Sequence, residues 1–188
     1  GFDDSAWLEG PTGIGYGDRV YATRLTDMQN NYTTVYARRK FTVANQALVA
    51  ALTFGIDSDD GFVAYLNGTE VARLRVDGAV GVPVPFGNLA NANHEEGQWE
   101  SIDLTAFKDL LVAGDNVLAI QAFNGTKGST DLSMIPELIA GTAAESGGCG
   151  TILYAAGASV VLSGSANGAQ TAAVKVEGAP TAYDGYRA

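Results

Sequence analysis

Three aspartates lie close together in the segment DSDDG, residues 57–61. The carboxylates of Asp57, Asp59 and Asp60 are hard oxygen ligands of the kind that calcium prefers. The spacing partly matches the start of a helix–loop–helix calcium loop, but the twelfth position from Asp57 is Gly68, where such a loop needs a bidentate glutamate. One interpretation is therefore a metal site at these aspartates, with calcium as a structural cofactor.

The same segment also has the composition of a turn. Aspartate and glycine favour turns, because aspartate side chains accept hydrogen bonds from nearby backbone amides. In this interpretation Asp57, Asp59 and Asp60 link two strands and bind no ion. The turn is the preferred interpretation, and the metal or ligand site is the alternative.

Two polar segments carry side chains that suit a sugar ligand. Sugar recognition needs aromatic faces for the apolar side of the ring and amide, carboxylate or guanidinium groups for the hydroxyls. Residues 23–34 and 88–99 supply both, and the candidate ligand-binding residues are Arg24, Asp27, Asn31, Tyr32, Asn93, His94, Glu95 and Trp99. Trp99 also opens an alternating segment, so the core is the preferred location for its side chain and ligand contact is the alternative.

The chain offers little for catalysis. His94 is the only histidine, and it lies beside Glu95 and Glu96 in a polar segment where a solvated side chain is the simplest interpretation. A hydrolytic triad would need a serine or cysteine nucleophile near this histidine, and no nucleophile-elbow motif is present. The sequence therefore predicts a protein that is not an enzyme.

The elements that would position these residues are mostly strands. Alternating or β-rich segments cover 35–43, 47–56, 99–104, 116–124 and 133–141, and residues 62–76 form a hairpin around Asn67-Gly68. Residues 105–114 predict one short amphipathic helix with Thr105 as N-cap and Gly114 as its end. Residues 77–98, rich in glycine, proline and asparagine, predict a long surface connection.

Composition narrows the class of partner. The 188 residues carry a net charge of −10 and include 24 glycines, with 17% charged residues. Excess negative charge disfavours nucleic acid and anionic membrane surfaces, and no apolar stretch reaches the roughly 18 residues that would span a bilayer. The N-terminal residues lack the pattern of a signal peptide, and the single cysteine, Cys149, has no partner for an internal disulfide.

Composition also changes along the chain. Residues 1–140 hold the predicted strands, whereas residues 141–150, GTAAESGGCG, are small and polar and predict a linker. Residues 151–188 contain short alternating stretches. They predict a β-rich extension or the start of a truncated second domain.

Five stretches, taken in order, resemble the galactose-binding-like jelly-roll modules of large bacterial extracellular proteins. These are FDDSAWLEGPTGIGYGD, TVYARRKFTV, DSDDGFVAYLNGTEVAR, GDNVLAIQAFN and STDLSMIPELIA, which together reach from about residue 2 to residue 140. The resemblance implies an all-β fold, an antiparallel β-sandwich of jelly-roll type with one short helix. It also implies a secreted or cell-surface location. A sugar ligand follows by analogy alone.

A second resemblance concerns the aspartates. SDDGFVAYLNG is similar to the protective-antigen-type lectin module, in which an Asp-Asp pair before a strand holds calcium that binds sugar hydroxyls. The expected function is a non-catalytic carbohydrate-binding accessory module that targets a larger extracellular protein to polysaccharide or oligosaccharide. The alternatives are a spacer that contacts neighbouring domains without binding sugar, and the calcium-dependent lectin module.

Overall fold

The computed structural model of the chain describes residues 3–142 and 151–154. Ten strands in these residues form two sheets: β1 (Ile14–Tyr16), β2 (Thr23–Arg24), β3 (Thr34–Val43), β4 (Val49–Asp59), β5 (Gly61–Leu66), β6 (Thr69–Leu74), β7 (Glu100–Asp103), β8 (Gly114–Phe123), β9 (Leu132–Thr142) and β10 (Thr151–Tyr154). Sheet A has the order β2-β1-β9-β4-β7, with β10 also paired to β9, and sheet B has the order β3-β8-β5-β6.

The sheets pack into a sandwich. All strand pairs in the described residues are antiparallel except β1 with β2. Alternate side chains of β4, β5 and β8 point between the sheets, and Phe54 and Phe62 meet there with ring centroids 5.8 Å apart. The predicted all-β antiparallel sandwich is confirmed.

The predicted strands 35–43, 99–104, 116–124 and 133–141 correspond to β3, β7, β8 and β9. The segment 47–56 is shifted, because a 3-10 helix, Gln46–Leu48, precedes β4 and the strand then continues to Asp59. Residues 75–99 between β6 and β7 contain no strand, as predicted for a long connection.

The prediction of a turn at the aspartates is wrong. Asp57 and Asp59 belong to β4, where β9 pairs with them through Ile135 and Ser133. Asp60 alone separates β4 from β5, so the chain passes from sheet A to sheet B across one residue. The neighbouring strands extend the ladders on both sides of Asp60 and leave no room for a separate turn.

The short helix predicted at 105–114 is present, but its extent and its predicted caps are wrong. The segment forms a 3-10 helix, Thr105–Leu110, and the chain becomes extended at Leu111. Thr105 makes no cap, since its Oγ accepts a hydrogen bond from the backbone N of Leu52 at 3.2 Å. Gly114 does not end a helix but begins β8, with a φ of +91°. The helix is short because the chain must soon enter β8.

The C-terminal predictions fall mostly outside the described residues. In β10, Thr151 and Ile152 pair with Ala140 and Ile139 of β9, so this strand adds to sheet A. Residues 143–150 of the predicted linker and residues 155–188 of the predicted extension lie outside the described part. The domain boundaries therefore stay predictions.

Sheet B ends at β3, whose only strand partner in the described residues is β8. The strand carries three consecutive cations, Arg38, Arg39 and Lys40. Arg38 forms an ion pair with Asp4, with Nη1 and Oδ2 2.6 Å apart. A long edge strand of this protein is therefore basic although the whole chain is acidic.

None of the helices in the described residues is long and apolar enough to cross a membrane.

The hairpin at Asn67-Gly68 is confirmed. β5 and β6 pair directly through Leu66 and Thr69, and both turn residues have positive φ, +50° at Asn67 and +85° at Gly68. Asn67 also anchors the turn, because its side-chain Nδ2 donates to the Leu110 carbonyl at 2.8 Å and its Oδ1 accepts from the backbone N of Val117 at 2.8 Å.

Replacing Gly68 by valine should destabilise the protein. A β-branched side chain is strained at the φ of +85°, so we expect a loss of about 1 kcal/mol or more in the free energy of unfolding, measured by urea denaturation. Thr69→Val is the matched control, because it places valine at the next position in an extended strand. Equal midpoints for Gly68→Val and the wild type would contradict the prediction.

Candidate cation and ligand site

The aspartates and part of the 88–99 segment meet at one end of the sandwich, where the chain crosses from β4 to β5. The Asp60 carboxylate accepts a hydrogen bond from the His94 backbone N at 3.0 Å and another from the Gly125 backbone N at 2.6 Å. These bonds tie the 88–99 segment and the β8–β9 loop (124–131) to the crossover. Three distant parts of the chain therefore share one anchor.

Asp57 is satisfied in a similar way. One of its carboxylate oxygens accepts a hydrogen bond from the Gly97 backbone N at 2.8 Å, and the other lies 3.5 Å from Arg19 Nη1. The predicted bonding of aspartates to backbone amides is thus present, but the amides belong to distant segments and not to a local turn. Asp57 and Asp60 have protein partners, and this weakens their assignment as metal ligands.

Asp59 differs from both neighbours. Its side chain is only 4% exposed, and no hydrogen-bond donor among the described residues reaches its carboxylate. Burial is the main cause that raises the pKa of Asp59 to about 8, and nearby negative charge, from Asp60 first and then Asp131 and Glu95, raises it further. A buried carboxyl group without a donor is unusual in a folded protein.

Two other carboxylates face Asp59. One ligand oxygen each from Asp59, Glu95 and Asp131 lies within 4.8 Å of the others. Calcium binds oxygens at about 2.3–2.6 Å, so opposite ligands in its shell are about 4.6–5.2 Å apart, and the trio fits inside such a shell. Glu95 is exposed and Asp131 is half-buried, so the cluster opens to solvent on their side. We name these three residues the acidic trio.

A side-chain oxygen at the start of the β8–β9 loop also has no hydrogen-bond partner among the described residues. Asn124 is fully buried, and its Nδ2 donates to the Tyr16 hydroxyl at 2.9 Å, but its Oδ1 has no hydrogen-bond partner among the described residues. Asn124 precedes Gly125, which is bonded to Asp60. An amide oxygen without a hydrogen-bond partner among the described residues suits a hard cation, which binds amide as well as carboxylate oxygens.

Arg75 holds the crossover from the other side. Its Nε donates to the Asp60 carbonyl at 2.9 Å, and its two terminal nitrogens donate to the Glu100 carboxylate at 2.8 and 2.5 Å. This bidentate hydrogen bond from Arg75 lowers the pKa of Glu100, against the opposing effect of burial. Arg75 thus fixes the backbone from which the Asp59 side chain extends.

His94 is not a solvated loop residue. Its Nδ1 lies 2.7 Å from the Ser58 carbonyl, and its Nε2 lies 3.8 Å from a Glu100 oxygen. With its backbone N bonded to Asp60, the residue fastens the 88–99 segment to the end of β4. Its ring is therefore occupied by the protein, and its predicted role in ligand binding is left without direct support.

Glu96 belongs to a second polar group on the outer face of sheet A. Arg19 Nε donates to Glu96 Oε1 at 2.6 Å, and the Tyr21 hydroxyl donates to Glu96 Oε2. Burial first, and then the carboxylate of Glu96, raise the pKa of the Tyr21 hydroxyl. This group covers Asp57 and is fully engaged in internal bonds.

The 23–34 segment lies against the β8–β9 loop, since the Asn30 backbone N donates to the Lys127 carbonyl at 2.9 Å. Within it, Tyr32 donates its hydroxyl to Asp27 Oδ1 at 2.7 Å, and Asn31 donates its Nδ2 to the Asp27 carbonyl at 2.7 Å. Burial, and next the Asp27 carboxylate, raise the pKa of Tyr32 to about 12. Arg24 lies in β2 with an exposed side chain.

Trp99 is not a core residue. Its side chain is 41% exposed, and its indole lies over the backbone of Gly55 on the outer face of sheet A. The alternation that suggested burial holds from Glu100 onward, where β7 begins, and Trp99 precedes that strand. The residue thus remains a candidate ligand contact.

The sequence does not point to Asp131, Asn124, Arg75 or Glu100. Each lies far along the chain from the aspartates, and none stands in a motif with metal-ligand spacing. Only the position of Asn124, at the end of the predicted strand 116–124, is a usable signal. Asn93 was predicted, and its Oδ1 would lie 3.3 Å from a Cβ built on Gly125, which places it at the same corner.

No protein-family model and no curated protein matches this sequence. Solved structures with some likeness include an α-L-rhamnosidase of Streptomyces avermitilis complexed with L-rhamnose, at 23% identity over 60% of this chain with a TM-score of 0.41. An α-L-rhamnosidase of Aspergillus terreus is 13% identical over 78% of this chain, with a TM-score of 0.46. The PA14 domain of the antifreeze protein MpAFP is 10% identical over 77% of this chain, with a TM-score of 0.34.

The matched part makes up 9% and 17% of the two hydrolase chains and 66% of the PA14 domain chain. This chain therefore spans a small fraction of the length of the two hydrolases. At these identities the likeness concerns the fold alone.

Proposed function

We propose that this chain is a non-catalytic carbohydrate-binding module of a larger secreted or cell-surface protein. In this proposal a divalent cation, with calcium as the leading candidate, organises the sugar site at the acidic trio. The observation that carries the proposal is the Asp59 carboxyl group, which is buried without a hydrogen-bond donor among the described residues and faces Glu95 and Asp131 within 4.8 Å.

Charge supports a cation at this place. Three carboxylates this close repel each other when ionised, and burial of Asp59 adds a desolvation cost for its negative charge. A bound divalent cation would offset both effects. The donors are carboxylate and amide oxygens, whereas the ring of His94 is engaged elsewhere, so the set suits calcium or magnesium better than zinc.

The site has capacity for a ligand. Calcium takes about six to eight oxygens, and the acidic trio with Asn124 does not supply that many unless several carboxylates bind through both oxygens. When bound, the ion would offer its remaining positions to vicinal sugar hydroxyls. Asn93 lies at the same corner, and the exposed side of Glu95 gives the ligand access.

Gly125 keeps this corner open. A Cβ at this position would lie 3.0 Å from Asp60 Oδ2 and 3.3 Å from Asn93 Oδ1, so a side chain here would crowd both groups. Asp27 and Tyr32 lie in the 23–34 segment that leans on the β8–β9 loop, where they would form the outer rim. In this proposal, polar groups from three segments would surround one cation.

Affinity electrophoresis against a panel of plant and bacterial polysaccharides tests the proposal. We expect the wild type to be retarded by at least one polysaccharide in millimolar calcium, and to lose this retardation in excess chelator or as the Asp59→Asn variant. Asp109→Asn is the matched control, because Asp109 is exposed and forms an ion pair with Lys108, with Nζ and Oδ1 2.7 Å apart. If the retardation survives chelation, binding does not depend on a cation and that part of the proposal is wrong. If no polysaccharide retards the protein, the result favours the alternative of a spacer that binds no sugar.

A further inference from the structure

We infer that the glycan has a second contact, the indole of Trp99 on the outer face of sheet A, and that the ligand is therefore an oligosaccharide chain and not a single sugar. This inference rests on the proposed carbohydrate-binding function. The Trp99 contact lies apart from the acidic trio, so experiments can test the contact and the cation site separately.

The absence of a side chain at Gly55 makes room for the indole of Trp99. This glycine lies in the middle of β4, and a Cβ built on it would be 2.2 Å from Trp99 Cζ2 and 2.8 Å from Cε2. Any side chain at this position would push the indole away from the strand. The strand therefore carries a bare patch of backbone next to which Cζ2, Cε2 and Nε1 of the indole lie.

The rest of the indole is open. Trp99 is 41% exposed, so a large aromatic surface is in contact with water. The backbone of β4 at Gly55 supports the other side of the ring system. A rigidly seated aromatic ring loses little conformational entropy when a ligand binds to it. Its apolar face suits the C–H side of a sugar ring, and its N–H can donate to a hydroxyl.

Polar groups flank the ring on both neighbouring strands. Gly55 pairs with Ser101 of β7 and with Glu137 of β9, and side chains of directly paired residues lie on the same face of a sheet. Ser101 is exposed and Glu137 is half-buried. The exposed Ser101 hydroxyl thus lies on the β7 side of the aromatic surface, where it can help to fix the orientation of a sugar.

The separation from the acidic trio sets the size of the ligand. Gly55 and Asp59 are four residues apart in β4, or about 13 Å along a strand, and their side-chain directions point to the same face. A ligand that contacts both places must be longer than one sugar ring. A glycan chain that passes over the Arg19 and Glu96 side chains, which cover Asp57 between the two places, would meet this requirement.

Tryptophan fluorescence tests the inference, because the chain has only two tryptophans. The Trp7→Phe variant, loaded with calcium, leaves Trp99 as the only indole. The probes are galacto-, xylo-, manno- and cello-oligosaccharides, from monosaccharide to pentasaccharide. We expect an emission shift and an affinity that rises with chain length for at least one series, whereas the monosaccharide leaves the emission unchanged.

Replacing Trp99 by alanine should lower the affinity for the longer chains by about tenfold or more and abolish the dependence on length, since tryptophan truncation is among the costliest changes at binding surfaces. Trp99→Phe should restore part of the loss, and Trp7→Ala should bind like the wild type. Melting curves of each variant separate lost contacts from lost folding.

Two results would overturn the inference. If Trp99→Ala binds the longer chains as tightly as the wild type, Trp99 is not a contact, while the cation-dependent function stands. If calcium-loaded wild type binds no probe in the series and no polysaccharide, the proposed function fails and the second contact fails with it.

Discussion

Millimolar calcium should raise the melting temperature of this protein by about 5–10 °C. A ligand present at about one hundred times its dissociation constant stabilises the folded state by about 2.7 kcal/mol. In a chain of this size, each kcal/mol shifts the midpoint by about 2–4 °C. The expectation follows from the acidic trio, whose mutual repulsion a cation would relieve.

The effect should depend on pH. The pKa of Asp59 is raised to about 8 in the metal-free folded protein, well above its value of 3.8 in an unperturbed chain. Between these values the folded state holds a proton that the unfolded state has lost, so the metal-free protein should lose stability as pH rises through this window. Calcium competes with that proton. Its stabilising effect should therefore be larger near pH 8 than near about pH 5.

Calorimetry at both pH values, with calcium and with excess chelator, measures this difference. Asp59→Asn is the informative variant, because it keeps the shape of the side chain and removes its charge. At pH 8 without calcium it should melt above the wild type, and calcium should no longer shift its midpoint. Superimposable wild-type curves with calcium and with chelator would rule out a stabilising cation at the acidic trio.

Asp60→Ala should lower the free energy of unfolding by about 3 kcal/mol. The side chain accepts two backbone hydrogen bonds, at 3.0 Å from His94 and at 2.6 Å from Gly125, and bonds to an ionised group are worth about 1.5–3 kcal/mol each. The variant would leave both amides without an acceptor in a poorly exposed place. The 88–99 segment and the β8–β9 loop would then lose their shared anchor.

Urea denaturation compared with two further variants isolates this effect. Asp109→Ala removes an exposed carboxylate paired with Lys108 and should leave the midpoint almost unchanged. Asp60→Asn retains one acceptor oxygen and should lie between the wild type and Asp60→Ala. A midpoint for Asp60→Ala equal to that of Asp109→Ala would show that Asp60 does not hold the two segments together.

Local patterns account for the part of the fold that the sequence predicts. The strand at 35–43 and the turn at Asn67-Gly68 depend on residues within a few positions of each other in the sequence. Both predictions appear in the structure, as β3 and as the β5–β6 hairpin. The segment 105–114 has the pattern of a helix. The long-range contact of Thr105 with Leu52 and the start of β8 at Gly114 override that local preference.

The site is less predictable for the same reason. Asp57, Asp59 and Asp60 are the same residue type within one short segment, yet two accept backbone hydrogen bonds and one has no donor among the described residues. What distinguishes them is which distant loop reaches each side chain. Glu95 comes from the segment before β7 and Asp131 from the end of the β8–β9 loop, and no local spacing relates either residue to Asp59.

The location of the Trp99 side chain also could not be predicted from the sequence. Tryptophan is mostly buried on average, and the following residues alternate, so burial is a reasonable expectation. The indole is exposed because Gly55, far earlier in the chain, leaves room for it on the outer face of β4. A glycine in a strand has many possible causes, and only the fold shows which side chain fills its place.

The basic edge of sheet B bears on how copies of this protein behave when concentrated. An edge strand presents unpaired backbone groups, and a long one is a template for aggregation. If two β3 strands paired antiparallel with Arg39 opposite Arg39, these two arginines would lie about 5 Å apart, and each Lys40 would face the Arg38 of the other copy, which is paired with Asp4. Repulsion between these like charges opposes such pairing. In the described part of the chain, the side chains of β3 therefore disfavour self-association through this edge.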